Sequence, residues 1–261
     1  MITARSLSKR EYEIMVEVAR SDMSIFTIRQ ISAMFKKSKK EFWPILHRLV
    51  RKGWLERIEK GKYMHVPFKA KEGWLEHPYL IVAKLLKNYY ISYRAALSYY
   101  GLTEQLPHYV YVATTQRKRE KVIQDYTLKF IRMKPDKFFG YKTEMIDGQE
   151  VMVAESEKAI IDCLDHEEYS GSIVEIVKAI NETRISHAKL KKYAIRMGNS
   201  SLIRRLGYLM DMVGKNSSGL EKHIGTFREI YLSTLFPKKN FGVDKKWKLI
   251  INLKKEDLLR W

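Results

Sequence analysis

The stretch that decides the fold of this chain lies at residues 27–67 and reads TIRQISAMFKKSKKEFWPILHRLVRKGWLERIEKGKYMHVP. Capping-box patterns at residues 27–30 and 38–41 open two helices eleven residues apart, and Gly53 ends the second of them. Two short β-rich runs then flank a turn at residues 59–61. The order predicts a helix-turn-helix followed by a small β-wing.

One more helix precedes this stretch. Residues 8–11 form a third capping box, and Ile14, Met15 and Val18 follow it at helical spacing. Pro44 is the residue that does not fit the pattern, because a proline inside a helix removes one backbone hydrogen bond. We therefore expect the helix after residue 38 to start later than its capping box or to kink at Pro44.

Composition and charge indicate the class of partner. The chain has 261 residues, of which 45% are hydrophobic, so it is long and apolar enough to fold around a sizeable core. Its net charge of +19 indicates a polyanionic partner, most simply nucleic acid, with an anionic membrane surface as the rival. Residues 1–73 alone carry a net charge of +9, so the charge density is highest around the helix-turn-helix.

We place a domain boundary in the short polar segment at residues 68–73. The fold class predicted is α+β, with an N-terminal winged helix-turn-helix domain at 1–73 and a larger mixed α+β C-terminal domain at 74–261. The pair Asp147–Gly148 predicts a two-residue hairpin turn in the second domain. Periodicity there predicts helices at 78–87, 92–100, 155–165, 172–182, 186–197 and 199–213, and strands at 109–114, 128–133, 142–146, 150–153 and 247–253.

The helix that opens at residue 38 is the candidate to enter the major groove of duplex DNA. Its first turns and solvent face, together with the wing, supply hydroxyl, cationic and aromatic groups suited to phosphates, sugars and base edges. The alternative is a winged helix that contacts protein, with its lysines as a solvated face. The DNA-contact candidates are Ser38, Lys39, Lys40, Trp43, His47, Arg51, Lys60 and Lys62.

A second basic zone lies at residues 184–205. On helices its cations would form a basic face that extends a DNA footprint or binds RNA or protein, although a solvated helix surface has the same pattern. Residues 117–121 are a further basic run in a loop or at a helix start. The candidates for the second face are Lys189, Lys191, Lys192, Arg196, Arg204 and Arg205.

Nothing in the sequence points to an enzyme. The chain shows no phosphate-binding loop, no dinucleotide fingerprint and no nucleophile elbow. Cys163 stands near Asp162 and His166, but it falls on the apolar side of its helix, which favours a buried cysteine over a nucleophile. One cysteine and histidines without ligand spacing predict neither a metal site nor a cofactor. Five tyrosines at residues 89–100 are better explained by packing than by base stacking.

No signal peptide or apolar run of membrane-spanning length is visible, so we expect a cytoplasmic protein with no membrane partner.

Four motifs in order resemble the AbiEi antitoxin family of type IV toxin–antitoxin, abortive-infection operons. They are residues 90–105 (YISYRAALSYYGLTEQ), residues 157–165 (EKAIIDCLD) with 168–171 (EYSG), residues 204–210 (RRLGYLM), and the winged helix ending at 52–57 (KGWLER) and 61–63 (GKY). The chain departs from the family at Pro44 and at Ser172, where many relatives have a second glycine.

The resemblance implies an antiviral-defence regulator that binds inverted repeats in its own promoter and represses transcription. It also implies that the C-terminal domain counteracts a nucleotidyltransferase toxin, a functional partner that need not form a stable complex. We expect a monomer or weak dimer in solution, with two copies on DNA. An adaptor that binds RNA or an acidic protein is the alternative.

Overall fold

The computed structural model describes residues 6–21, 23–67, 75–104, 109–226 and 228–260. The chain is a mixed α+β protein that divides into two compact units, residues 1–87 and 88–261. The boundary expected at residues 68–73 lies outside the described residues and stays a prediction. The helix at Pro78–Leu85 groups with the first unit.

In its described residues the first unit combines four helices with a three-stranded antiparallel sheet whose strand order is β1-β3-β2. The succession α1-β1-α2-α3-β2-β3 fits a winged helix-turn-helix. The elements are α1 (Lys9–Arg20), β1 (Ile25–Thr27), α2 (Ile28–Met34), α3 (Lys39–Arg51), β2 (Leu55–Glu59), β3 (Lys62–His65) and α4 (Pro78–Leu85).

Local sequence signals explain where the first helices begin. The amide of Ser8 donates to Glu11 at 2.8 Å, and the amide of Thr27 donates to Gln30 at 2.8 Å, as their capping boxes predict. The core of the unit then forms where apolar helix positions meet the sheet. It contains Ile14, Met15, Val18, Phe26, Ile31, Phe42, Ile45, Leu46, Leu49, Leu55 and Tyr63.

Helix α3 corrects one expectation about Pro44. The helix starts at Lys39, directly after Ser38, and runs through Pro44 to Arg51, so the later start is wrong. Pro44 is exposed on the side of α3 away from the core. It costs the helix one hydrogen bond, to the carbonyl of Lys40, while the buried side of the helix keeps its packing.

The second unit is built around a mixed six-stranded sheet with the order β6-β7-β5-β4-β9-β8. β5 and β7 are parallel along their length, and β8 and β9 form an antiparallel hairpin. The hairpin turns at Asp147–Gly148 with both residues at positive φ, as predicted. The strands are β4 (Tyr90–Ile91), β5 (Tyr109–Thr114), β6 (Lys121–Ile123), β7 (Tyr126–Arg132), β8 (Tyr141–Ile146) and β9 (Gln149–Ala154).

The helices of this unit lie close to their predicted ranges. Ser172 caps α7 by accepting from the amide of Glu175 at 3.4 Å, so the departure from the family pattern at this residue supplies a helix cap. The helices are α5 (Tyr93–Tyr99), α6 (Ser156–Asp165), α7 (Ile173–Asn181), α8 (His187–Met197), α9 (Ser200–Met212) and α10 (Lys255–Leu258).

The strand predicted at residues 247–253 is wrong over most of its length. Only β12 (Leu249–Ile250) is a strand, in a small sheet with β10 (Ile230–Tyr231) and β11 (Val243–Asp244). Trp247 instead packs its ring onto Gly207 of α9, where a Cβ would lie 2.3 Å from the ring. The apolar residues that suggested a long strand, such as Leu253, are instead buried from a segment that is mostly irregular. The helix start considered at 117–121 is also wrong, since β6 begins at Lys121.

Among the described residues, no helix combines the length and the apolar character needed to cross a membrane.

Candidate nucleic-acid interface

Helix α3 has two sharply different sides. Phe42, Ile45, Leu46 and Leu49 are buried in the core. At roughly 100° per residue, Lys40, His47 and Arg51 lie within about 40° of one another and opposite that buried side. All three are exposed. We call Lys40, Trp43, His47 and Arg51 the outer face of α3.

Trp43 is the unusual member of the outer face. Its side chain is 59% exposed, and its ring stacks on that of His47 with centroids 5.8 Å apart and planes inclined by 23°. A large aromatic side chain that is exposed on a helix indicates a binding surface, because burying its ring against a partner removes apolar area from water. The pair therefore presents a flat aromatic platform between the cations Lys40 and Arg51.

The N-terminus of α3 differs from the expected phosphate cradle. The amide and the hydroxyl of Ser38 both donate to the Glu41 carboxylate, each at 3.2 Å, and Glu41 also lies 3.8 Å from Arg10. A phosphate at Ser38 would have to displace this carboxylate. Lys39 and Lys40 are exposed and make no ion pair with another described residue. The phosphate-contact role therefore falls on the two lysines more than on Ser38.

Glu11 of α1 anchors the opposite edge of α3. Its carboxylate is 1% exposed and accepts from Arg48 Nε at 3.2 Å and from Lys52 Nζ at 2.6 Å. Burial alone would raise the pKa of Glu11, but bonds from Lys52, the Ser8 amide and Arg48 outweigh it and lower the pKa from 4.5 to about 2. Arg48 of α3 and Lys52, the residue directly after the helix, thus bind Glu11 and fix the position of α3, whereas Arg51 lies on the outer face.

The two wing lysines have different surroundings. Lys60 is exposed at the hairpin tip, beside Gly61, whose φ of +73° permits the tight turn. Lys62 is half-buried and donates to the carbonyl of Leu85 at 3.5 Å. Of the two wing lysines, Lys60 is therefore the one that is fully exposed at the hairpin tip.

Sequence reasoning left out two cations beside the outer face. Lys36 and Lys37 lie in the turn between α2 and α3, both exposed, and Lys36 has a φ of +49°. With Lys39 and Lys40 they make a run of four lysines around Ser38. The run itself was the available signal, because turns of helix-turn-helix motifs lie close to the phosphate backbone.

The second basic zone does not form one face. Arg204 is 1% exposed and donates to the carbonyls of Arg228 at 2.7 Å and Ile224 at 3.0 Å. Arg205 is half-buried and donates to the carbonyl of Tyr231 at 3.4 Å. The expectation of a continuous basic surface is therefore wrong. The apolar neighbours of Arg204 bury α9 in the core, so the Arg204 side chain is buried as well. Its guanidinium therefore donates to backbone carbonyls, because a buried charge needs hydrogen-bond partners.

The cations of α8 are also mostly engaged. Lys189 pairs with Glu155 at 2.9 Å, and Lys191 donates to the carbonyl of Ser218 at 3.0 Å. The guanidinium of Arg196 lies 3.8 Å from the centroid of the Phe139 ring. Lys192 is exposed and makes no ion pair within the described part of the chain.

The Asp162 region is a buried structural cluster. Lys158 and Asp162 form a fully buried ion pair, and Ser92 Oγ donates to Asp162 at 2.7 Å. Burial raises the pKa of Asp162, against the opposing effect of Lys158. Cys163 is buried as predicted, and burial raises the pKa of its thiol well above the usual range. Over the described ranges, no group of three metal-ligating side chains comes together.

The segment that contains the outer face of α3 resembles a known protein family. The profile of a family described as transcriptional regulators of the AbiEi antitoxin type matches residues 13–64. Residues 13–64 are thus similar to the AbiEi antitoxin family. The match begins within α1 and ends within β3, and it supports a role as a regulator or antitoxin. The family is not a known enzyme class. The resemblance proposed for residues 90–210 lies outside this match and stays a prediction.

The fold also matches a solved structure. A crystal structure of the RV2827C protein from Mycobacterium tuberculosis superposes with a TM-score of 0.71, covering 98% of this chain and 95% of that one. At 14% identity, the likeness shows a shared fold alone. No curated protein matches the chain.

Proposed function

We propose that this chain is a DNA-binding transcriptional autorepressor and antitoxin of a type IV toxin–antitoxin system, acting in the cytoplasm. The observation that carries the proposal is the outer face of α3. Its cations and aromatic platform are exposed on the helix that a winged helix-turn-helix inserts into the major groove, within the segment matched by the regulator family.

The proposed docking follows from the exposed groups. Lys36, Lys37 and Lys39 lie near the N-terminus of α3, where they meet phosphates. Lys40 and Arg51 reach guanine edges or phosphates, and the stacked pair of Trp43 and His47 meets sugars, base edges or thymine methyl groups. Lys60 at the wing tip contacts the flanking backbone.

In this proposal, the bound protein represses transcription by blocking access to the promoter. Two copies on an inverted repeat would cover the promoter, with an affinity dominated by phosphate contacts. If one copy neutralises about six phosphates, the logarithm of the binding constant falls with the logarithm of salt concentration at a slope near −5. The antitoxin activity, directed against a nucleotidyltransferase, is assigned to the second unit, and the toxin need not bind stably.

The first experiment is fluorescence-anisotropy binding to the DNA upstream of the chain's own gene, beside a scrambled duplex, at two salt concentrations. We expect preference for the promoter, and a loss of affinity of at least tenfold when Lys39→Ala and Lys40→Ala are combined. The matched control combines Lys9→Ala with Arg20→Ala, which removes the same charge from exposed positions of α1. That control should retain promoter preference.

Three results would contradict parts of this proposal. Equal, salt-sensitive binding to both duplexes would show that the charge is used without operator recognition. Salt-independent binding would exclude the electrostatic mechanism. Capture of RNA or an acidic protein in place of the promoter would favour the adaptor. The antitoxin arm is tested separately, by co-expression with a nucleotidyltransferase encoded beside the gene, where rescue of growth is expected.

A further inference from the structure

A cavity of about 170 Å³ lies in the second unit, where the end of β7 meets the start of α5 and the end of α6. Its volume is several times the share of about 30 Å³ that one water molecule occupies in the liquid. We call it the Tyr93 cavity. Its polar lining residues are Tyr93, Arg132, Lys134, Lys137, Asp165 and His166.

The Tyr93 side chain lines this cavity with a buried hydroxyl that has no hydrogen-bond partner among the described residues. The whole side chain is fully buried. A buried hydroxyl without a partner is unfavourable, and such groups in native proteins call for a ligand, a water or a strained function. The backbone of Tyr93 also has a φ of +55°, which a bulky side chain rarely adopts.

The charge around the cavity favours an anion. Arg132 and Lys134 are exposed and make no ion pair with another described residue. Asp165 is the one carboxylate in the lining, and both of its oxygens are occupied. Oδ1 accepts from Asn199 Nδ2 at 2.5 Å, and Oδ2 lies 3.5 Å from Lys137 Nζ. Three cations against one engaged carboxylate leave the lining positive.

We propose that the Tyr93 cavity binds the phosphoryl group of a small phosphorylated molecule. Arg132, Lys134 and Lys137 supply donors of the kind that hold phosphate oxygens, and the Tyr93 hydroxyl gains the acceptor that the protein does not give it. Asp165 and His166 are too few ligands for a metal site, and no group of three metal-ligating side chains comes together in the described residues. The proposal depends on residues 88–261 alone and goes beyond the DNA contact proposed for the first unit.

The first test is isothermal titration calorimetry of the full chain with inorganic phosphate, and separately with a 5′-mononucleotide, at constant ionic strength. Equal affinities would mean that the phosphoryl group alone is recognised, and tighter nucleotide binding that the nucleoside adds contacts. No saturable heat with either probe up to about 10 mM would overturn the proposal.

Substitutions at the cavity give effects of opposite sign. Tyr93→Phe should weaken binding about fivefold through one lost hydrogen bond, while the melting temperature is unchanged or higher, because no protein partner is lost. Combining Arg132→Ala with Lys134→Ala should weaken it at least tenfold. Asp165→Asn should tighten binding, since it removes the opposing charge and releases Lys137.

The matched control combines Lys222→Ala with Lys255→Ala, two exposed lysines outside the cavity lining. It removes the same charge and should leave the affinity unchanged. An equal loss of affinity in the control and in the cavity pair would show binding to the basic surface at large and overturn the site. Unchanged affinity in Tyr93→Phe, with a normal melting temperature, would overturn the role of the hydroxyl.

Discussion

Helix α3 and helix α9 both carry closely spaced cations in the sequence, and the fold uses them in opposite ways. On α3, Lys40 and Arg51 are exposed opposite the core. On α9, Arg204 is buried and Arg205 half-buried, and their guanidinium groups bond to backbone carbonyls. One helix presents its charge to a partner, and the other uses it to fix neighbouring chain segments.

The difference lies in how many sides of each helix are covered. α3 buries one stripe, so residues opposite it reach water. α9 buries residues around much of its circumference, including Leu202, Leu206, Gly207 and Met210, so its arginines have little surface to reach. A basic sequence on a helix that is covered on most sides therefore indicates internal hydrogen bonding rather than a binding face.

The largest effect that tests this comparison is expected from Arg204→Ala. The substitution removes two charge-assisted hydrogen bonds and leaves the carbonyls of Arg228 and Ile224 without that donor, so we expect the free energy of unfolding to fall by roughly 3 kcal/mol. Urea unfolding followed by circular dichroism measures it, and hydrogen exchange locates the loss in residues 200–231.

Arg196→Ala is the matched control, because Arg196 is exposed and its guanidinium lies over the Phe139 ring without a hydrogen bond or ion pair to another described residue. We expect a loss of no more than about 1 kcal/mol. Promoter affinity should be unchanged in both variants. A stable Arg204→Ala protein with weakened DNA binding would show that Arg204 belongs to a binding surface after all.

Local signals of the sequence were sufficient for most helices and hairpins. The capping boxes at Ser8 and Thr27 and the turn at Asp147–Gly148 depend on neighbouring residues, so their outcome could be read from spacing alone. The outer face of α3 followed for the same reason, because its buried stripe fixes which residues point away.

Long-range partners could not be read in this way. Trp247 packs on Gly207, forty residues earlier, which removed the predicted strand. Glu11 fitted a capping box from its spacing, but its ion pairs with Arg48 and Lys52 require α1 and α3 to meet. The Tyr93 cavity joins residues from three separate stretches of the chain, and their spacing in the sequence does not show that they meet. Tertiary packing decided these features.

Glu11→Gln is expected to give the next largest effect, since it removes the anchor of α3. The pKa of Glu11 in the folded chain, about 2, lies below its ordinary value of 4.5. Its contribution is therefore present above about pH 4.5 and is lost as the pH falls toward 2. We expect a loss of roughly 2 kcal/mol at pH 7, reduced because Arg48 is half exposed.

Urea titrations of the wild type and of Glu11→Gln at pH 7 and pH 3 measure the free energy of unfolding. The difference in this free energy between the two proteins should be smaller at pH 3. Glu13→Gln is the control, an exposed carboxylate on the same helix. A difference that does not change with pH would mean that the Glu11 charge contributes nothing and only its packing counts.

The smallest expected effect concerns Arg48 and Arg51, which lie less than one helical turn apart on α3 and are predicted to have different roles. Arg51→Ala should weaken promoter binding by about 1–2 kcal/mol without lowering stability, since Arg51 lies on the outer face and has no ion pair within the described residues. Arg48→Ala should lower stability through Glu11 and leave promoter affinity within about threefold. Anisotropy titrations and urea unfolding measure the two quantities on each variant.

The salt dependence of Arg51→Ala then defines the contact. A slope that becomes less steep by about one unit, with equal losses on promoter and scrambled DNA, indicates a phosphate; a loss confined to the promoter, at unchanged slope, indicates a base edge. If Arg48→Ala weakened binding more than Arg51→Ala at equal stability, the groove-facing side of α3 would be the one that carries the Glu11 anchor. The docking proposed from Lys40, Trp43 and His47 would then be wrong, although the fold that places them would not.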